Sequence, residues 1–189
     1  SLLTPPDIPL GQGCVREMLG GMRRMRSTII THGQLASRAL RVELAKRGQF
    51  GVLVTTFEGV AARLAGGFTR PIDQDTLRKA LQKVLPVTDL GELDAIKGLP
   101  GMVGAGATTL HKIWRAGIDL EARAGQPRID AIGALHAAVL EELPEGMLPP
   151  GAIVERARKR LQQAGKILGP VQVRGLTDMS PCWRPLLLE

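Results

Sequence analysis

The stretch formed by residues 27–67 has a strand–helix–strand–helix pattern, and this pattern constrains the fold more than any other feature of the chain. A β-branched run at residues 28–31 precedes residues 33–47, where apolar side chains recur every three to four positions. A second apolar run at residues 51–56 leads into another helical segment at residues 58–64. Units of this kind normally build one parallel sheet with right-handed crossovers. We therefore expect an α/β fold.

The composition changes at Pro71 and changes back at Pro170. Helical periodicity dominates residues 71–168 without strands, and strand character returns at residues 171–174. The apolar patterns predict helices at residues 77–85, 102–120, 129–143 and 153–168, with weaker signals for helices at residues 14–25 and 177–188. We predict a small parallel sheet of about three strands with flanking helices and a large inserted all-helical subdomain. The corresponding boundaries are 1–70 and 169–189 for the α/β subdomain and 71–168 for the insertion.

Composition and charge narrow the classes of protein to which the chain can belong. It has 189 residues and 44% hydrophobic content, which is enough for one or two globular domains. The 25 Lys and Arg residues outnumber the 18 Asp and Glu residues, and the net charge of +7 favours an anionic partner. The opening sequence shows no secretory signal, and no apolar run approaches the ~20 residues that span a bilayer. We expect a cytoplasmic protein without a membrane partner, and a piece of a longer chain.

The chain lacks the residue patterns of several catalytic sites. A PD-(D/E)XK nuclease needs an acidic-x-Lys tripeptide to hold metal and activate water, and no Asp-x-Lys or Glu-x-Lys occurs here. Cys14 and Cys182 are far apart and match no metal or redox spacing. No G-x-S-x-G nucleophile motif is present. We therefore predict no catalytic residues, no metal site and no cofactor in this chain.

The end of the second predicted strand resembles a DNA-facing motif of superfamily-I helicases. That motif has the form T-F-x-x-x-A-x-R-L, and the matching residues here are Thr56, Phe57, Val60, Ala61, Arg63 and Leu64. Three further stretches, at residues 99–102, 109–117 and 175–186, resemble the AddB-type helicase–nuclease family of bacteria. The resemblance implies an N-terminal helicase-like region, often inactivated, in a protein of double-strand-break repair and recombination. It also implies DNA and a helicase–nuclease partner subunit as partners, and an exonuclease domain beyond this chain.

A glycine-rich segment stands before the first strand, where a helicase would carry its phosphate loop. It contains Gly11, Gly13, Cys14 and Val15, and no G-x-x-x-x-G-K-[ST] sequence occurs anywhere in the chain. Cys14 and Val15 supply neither the lysine for the phosphates nor the hydroxyl for Mg²⁺. The segment is either a degenerate, inactive phosphate loop of a P-loop-like fold or an ordinary glycine-rich loop. Both interpretations predict no ATP hydrolysis.

The carboxyl ends of the predicted strands carry the candidate nucleic-acid-binding residues, because ligands of parallel α/β sheets bind at that edge. These candidates are Thr31, His32, Gln34, Thr56, Phe57 and Arg63. Weaker candidates are Arg38 and Arg41 on the exposed face of the first helix, and the basic groups 23–26 and 156–160, which either contact phosphates or are solvated.

Other side chains have simpler interpretations. Trp114 and Trp183 are expected in the core, His111 in solvent, and His136 partly buried and hydrogen-bonded. The competing functional hypothesis is a helical protein–protein interaction module without a nucleic-acid role, because apolar helices dominate the chain and aromatic residues make up only 3% of it.

Overall fold

The structure, a computed structural model, describes residues 27–175 and 178–187. The predicted helix at residues 14–25, the glycine-rich segment and the basic group 23–26 lie outside the described residues. The strands are β1 Ser27–Thr31, β2 Val52–Thr56, β3 Arg70–Pro71, β4 Met147–Leu148 and β5 Val171–Arg174. The helices are α1 Gln34–Lys46, α2 Phe57–Ala65, α3 Gln74–Val84, α4 Met102–Ala116, α5 Pro127–Glu141, α6 Pro150–Arg158 and α7 Ala164–Leu168.

Three parallel strands form the main sheet in the order β2-β1-β5, so the α/β prediction and its three strands are confirmed. Thr28 of the central strand pairs with Leu53 of β2 and with Val171 of β5. At the other end of the strands, Thr31 pairs with Thr56 and with Arg174. The strands therefore end together, and their carboxyl ends lie at one edge of the sheet.

Helices α1 and α2 cover opposite faces of this sheet, as alternating side chains of β1 require. Ile29 packs with Leu44 of α1, whereas Ile30 packs into a core that contains the buried face of α2. Ile153 of α6 and Trp183 belong to this same core. Helix α6 therefore packs against α2 in the core on this face of the sheet.

Helices α3, α4 and α5 enclose a second core. Leu77, Leu81, Leu110 and Val139 are almost completely buried there. Helix α3 begins at a capping residue, because Asp73 accepts a hydrogen bond from the backbone N–H of Thr76 at 2.8 Å. The helical nature predicted for most of residues 71–168 is thus observed, and the division of the chain into two subdomains stays a prediction.

Three details of the prediction are wrong. Residues 71–168 do contain a strand, since β4 pairs in parallel with β3, and two residues are too short to produce a periodic signal. The helix predicted at residues 153–168 is broken into α6, a 3-10 turn at Leu161–Gln163 and α7. The predicted helix near the end of the chain is instead a 3-10 helix, Pro181–Leu186, because Pro185 has no N–H to donate.

None of the helices in the described part of the chain is long and apolar enough to cross a membrane.

Candidate functional site

The carboxyl ends of β1 and β2 open onto a cleft of about 250 Å³, which we call the strand-end cleft. Its walls come from the β1–α1 turn, the start of α2, one residue of α4 and the segment before the last 3-10 helix. The lining residues are Thr31, His32, Gly33, Gln34, Thr56, Phe57, Glu58, Arg115, Asp178, Met179, Ser180 and Trp183. Five of the six residues predicted from sequence therefore lie together.

The β1–α1 turn leaves the amino terminus of α1 without a side-chain cap. Gly33 at the cap position is extended, with φ −166°, and as a glycine it supplies no side-chain hydrogen bond to the first turn. The first backbone N–H groups of a helix have no intrahelical acceptor, and the helix dipole makes this end attractive to anions. His32 and Gln34 on either side are exposed. The first N–H groups of α1 and the side chains of His32 and Gln34 therefore lie at the cleft, which these residues line.

A buried hydroxyl pair fixes this turn. The Oγ1 of Thr31 and the Oγ of Ser37 are 2.6 Å apart, and Thr31 also donates to the Gly33 carbonyl at 3.3 Å. Thr31 and Ser37 are both buried. Thr31 thus holds the turn in place and its hydroxyl is already bonded. Sequence reasoning did not nominate Ser37, although a serine three residues into an amphipathic helix is a recognisable exception to the apolar pattern.

The two residues that join β2 to α2 have structural roles of their own. The Oγ1 of Thr56 accepts a hydrogen bond from the Gly59 N–H at 3.3 Å and so caps α2. Phe57 is buried, and its ring lies 6.4 Å from the ring of Trp183. Phe57 therefore belongs to the core beneath the cleft, and Thr56 stays half-exposed at its wall.

Arg115 supplies a cation to the cleft, and sequence analysis did not nominate it. This residue lies in the last turn of α4, and its Nε donates to the Oγ of Ser180 at 2.8 Å. The bond orients an exposed guanidinium at the wall of the cleft. Arg115 and Ser180 are 65 positions apart, so no local pattern could have revealed their contact.

Glu58 lies between the strand-end cleft and a second cavity of about 170 Å³, and Arg115 and Trp183 line both. Burial raises the pKa of the Glu58 carboxyl, and the charge of Arg115 opposes that rise in pKa. The second cavity is also lined by His111, whose pKa is lowered by burial first and by Arg115 second. The cleft therefore contains the exposed guanidinium of Arg115, the partly buried carboxylate of Glu58 and the exposed carboxylate of Asp178.

The remaining cationic candidates lie elsewhere. Arg63 is exposed and lines a different cavity, together with Gly51 and Val52 at the amino end of β2. Arg38 and Arg41 are exposed as predicted, although the Nε of Arg41 donates to the Val54 carbonyl at 3.1 Å. In the basic group at residues 156–160, Arg156, Arg158 and Lys159 are exposed at the end of α6.

The predictions for tryptophan are confirmed and those for histidine are partly wrong. Trp114 and Trp183 are 8% and 7% exposed. His136 is partly buried beside Trp114, but its Nε2 has no hydrogen-bond partner in the described part of the chain. His111 is half-buried and not fully solvated. Among the described residues, no cluster of His, Cys, Asp and Glu has the arrangement of a metal site.

Comparison of the chain with protein-family models, with curated proteins and with solved structures finds no match.

Proposed function

We propose that the strand-end cleft binds the phosphates of single-stranded DNA, and that this chain is the N-terminal helicase-like region of an AddB-type helicase–nuclease. The observation that carries the proposal is the uncapped amino terminus of α1, which opens onto the same cleft as the guanidinium of Arg115. Backbone N–H groups at a helix start and an oriented arginine are two independent means of binding an oxyanion. Neither reads a base, so the binding is independent of sequence.

The charges in the cleft predict weak binding by this chain alone. Arg115 provides one fixed positive charge, and Glu58 and Asp178 lie on the same walls. Each phosphate contact on a single strand contributes about 0.7 to the slope of log affinity against log salt. A site with few such contacts binds best at low salt and has a shallow slope. We infer that the chain acts as a DNA-binding scaffold part of a larger complex.

The proposal includes the absence of ATP hydrolysis. Phosphoryl transfer needs a lysine or arginine at the phosphates and a held Mg²⁺, and the sequence has no G-x-x-x-x-G-K-[ST] motif. The purified chain should therefore release no phosphate from ATP above a buffer control, with or without DNA. DNA-stimulated ATPase activity would overturn this part of the proposal.

The binding test compares a labelled oligothymidine with the wild-type chain and three variants in low-salt buffer. His32→Ala, Gln34→Ala and Arg115→Ala each remove an accessible cleft side chain, and each should weaken binding. Arg78→Ala is the matched control, because Arg78 is an exposed arginine on α3 that lines none of the cavities described. Equal affinity of the wild type and Arg115→Ala would exclude the cleft, and absence of binding in the wild type would favour the protein–protein interaction module.

A further inference from the structure

Phe68 combines strain with exposure. Its side chain is 95% exposed in the loop between α2 and β3. Among the residues that the structure describes, it is the one non-glycine residue with a positive φ, at 58°. The left-handed region is unfavourable for residues with a Cβ, and bulky residues adopt it rarely. Backbone strain of this kind persists where surrounding contacts impose it, and it concentrates at functional positions.

Hydrogen bonds on both sides of Phe68 hold its loop in one conformation. Thr69 is buried, and both its hydroxyl and its N–H donate to the Gly66 carbonyl, at 2.5 and 3.2 Å. The N–H of Arg70 donates to the Gly146 carbonyl at 2.8 Å. The backbone that carries this exposed ring is thus held by hydrogen bonds on a short loop, so ordering the loop costs little further entropy when a ligand covers the ring.

One arginine contacts this loop and two more lie close to it in sequence. The guanidinium of Arg160 packs directly on the Cα of Gly66, in the space that a Cβ would occupy. Arg70 follows Phe68 by two residues and is exposed, and Arg63 is exposed in the last turn of α2. The acidic residue on the neighbouring turn is Glu145, which is exposed and precedes Gly146. An aromatic ring among arginines suits a ligand with a flat apolar part and a negative charge.

We propose that Phe68 stacks on a base of the single strand whose phosphates occupy the strand-end cleft, an inference that rests on the proposed function. Helix α2 runs from Thr56 at the cleft to Gly66 at the loop, and its nine residues span about 14 Å. Four to five nucleotides cover that distance at about 3.4 Å per stacked nucleotide. Arg63 is the exposed cation of this helix. Stacking on an aromatic ring is independent of base identity, so it adds affinity without sequence preference.

The test uses an oligothymidine that carries a single 2-aminopurine, whose fluorescence is quenched when the base stacks on an aromatic ring. Phe68→Ala should weaken binding at least about five-fold and abolish the quenching. The slope of log affinity against log salt should stay at the wild-type value, because no charge is removed. Phe68→Trp should retain both signals. Phe50→Ala is the matched control, since Phe50 is 82% exposed on the loop before β2 and should bind as wild type.

Each other outcome overturns the inference in a distinguishable way. If Phe68→Ala binds and quenches as wild type while Arg115→Ala binds weakly, Phe68 makes no base contact and the proposed function stands. If the wild-type chain binds no single strand, both fail together. If the wild-type chain self-associates with increasing concentration and Phe68→Ala does not, the ring is covered by a second copy of the chain. If Phe50→Ala weakens binding as much as Phe68→Ala, the effect is not specific to the strained loop.

Discussion

Replacement of Ile153 by alanine tests the packing that supports the cleft. Ile153 is 0% exposed and lies in the core that α6 shares with α2, whose first turn forms one wall of the cleft. The substitution removes three carbon atoms, which correspond to about 2.4 kcal/mol at ~0.8 kcal/mol per buried carbon. The cavity left behind adds to this loss, and measured values for such substitutions are about 2–5 kcal/mol. We therefore expect the free energy of unfolding to fall by about 3 kcal/mol.

Urea denaturation provides the measurement. Trp183 lies in the same core as Ile153, so tryptophan fluorescence reports on this packing, and far-UV circular dichroism reports on the helices. The midpoint should fall while the slope m is unchanged, because the native surface area changes little. Ile153→Val should lose about 0.5–1.5 kcal/mol. Leu35→Ala is the control, because Leu35 is 82% exposed and its loss should change stability by less than about 0.5 kcal/mol. A loss below about 1 kcal/mol for Ile153→Ala would show that α6 does not pack on α2 as described.

Four further predictions address the cleft and its surroundings. Thr56→Ala should lower the free energy of unfolding by about 1 kcal/mol in urea denaturation, because α2 loses its cap. Ser37→Ala should cost about 1–2 kcal/mol in the same assay, because the buried Thr31 hydroxyl loses a partner. Glu58→Gln should raise the thermal midpoint at pH 8 more than at pH 4. Burial raises the pKa of Glu58 in the native state, so the protonated carboxyl stabilises the fold below the unfolded-state pKa, and this stability is lost as the pH rises through the native pKa. The neutral glutamine keeps the buried position uncharged at both pH values. In a Cys14→Ser background, Cys182 should react with a thiol reagent at pH 8 much more slowly than the urea-unfolded chain, because burial raises its pKa to about 11.

The sheet and the position of the cleft were predictable because they depend on local patterns. The run at residues 28–31 has β-branched side chains, and all four are buried, as a central strand covered on both faces requires. Strands that run in parallel bring their carboxyl ends together, so His32 and Thr56 had to be close in space.

The contacts that complete the site were not predictable in this way. Arg115 reaches the cleft only because α4 ends beside Ser180, and this contact depends on packing between distant segments. Arg63 was predicted at the strand ends but lies outside the cleft. It follows Thr56 closely in sequence, but α2 runs away from the cleft and carries Arg63 to the amino end of β2. Helix direction, which the motif does not encode, decides where that charge lies.

The short β3–β4 pair and the break between α6 and α7 were not predictable for a different reason. The β3–β4 pair consists of two residues on each side and depends on the turn at Gly146, whose carbonyl accepts from Arg70. The break between α6 and α7 follows no glycine or proline. Its two halves keep their apolar faces in one core, so the periodicity of the sequence resembles a continuous helix.

The salt dependence of single-strand binding shows whether a phosphate contacts Arg115 in the strand-end cleft. Affinity for an oligothymidine is measured over a series of salt concentrations for the wild-type chain, Arg115→Ala and the control Arg78→Ala. We expect Arg115→Ala to lower the affinity and to reduce the magnitude of the slope by about 0.7, which corresponds to one phosphate contact, and Arg78→Ala to change neither. An unchanged slope in Arg115→Ala, together with loss of binding on charge reversal of Arg156 and Lys159, would place the DNA at the end of α6 and not in the strand-end cleft.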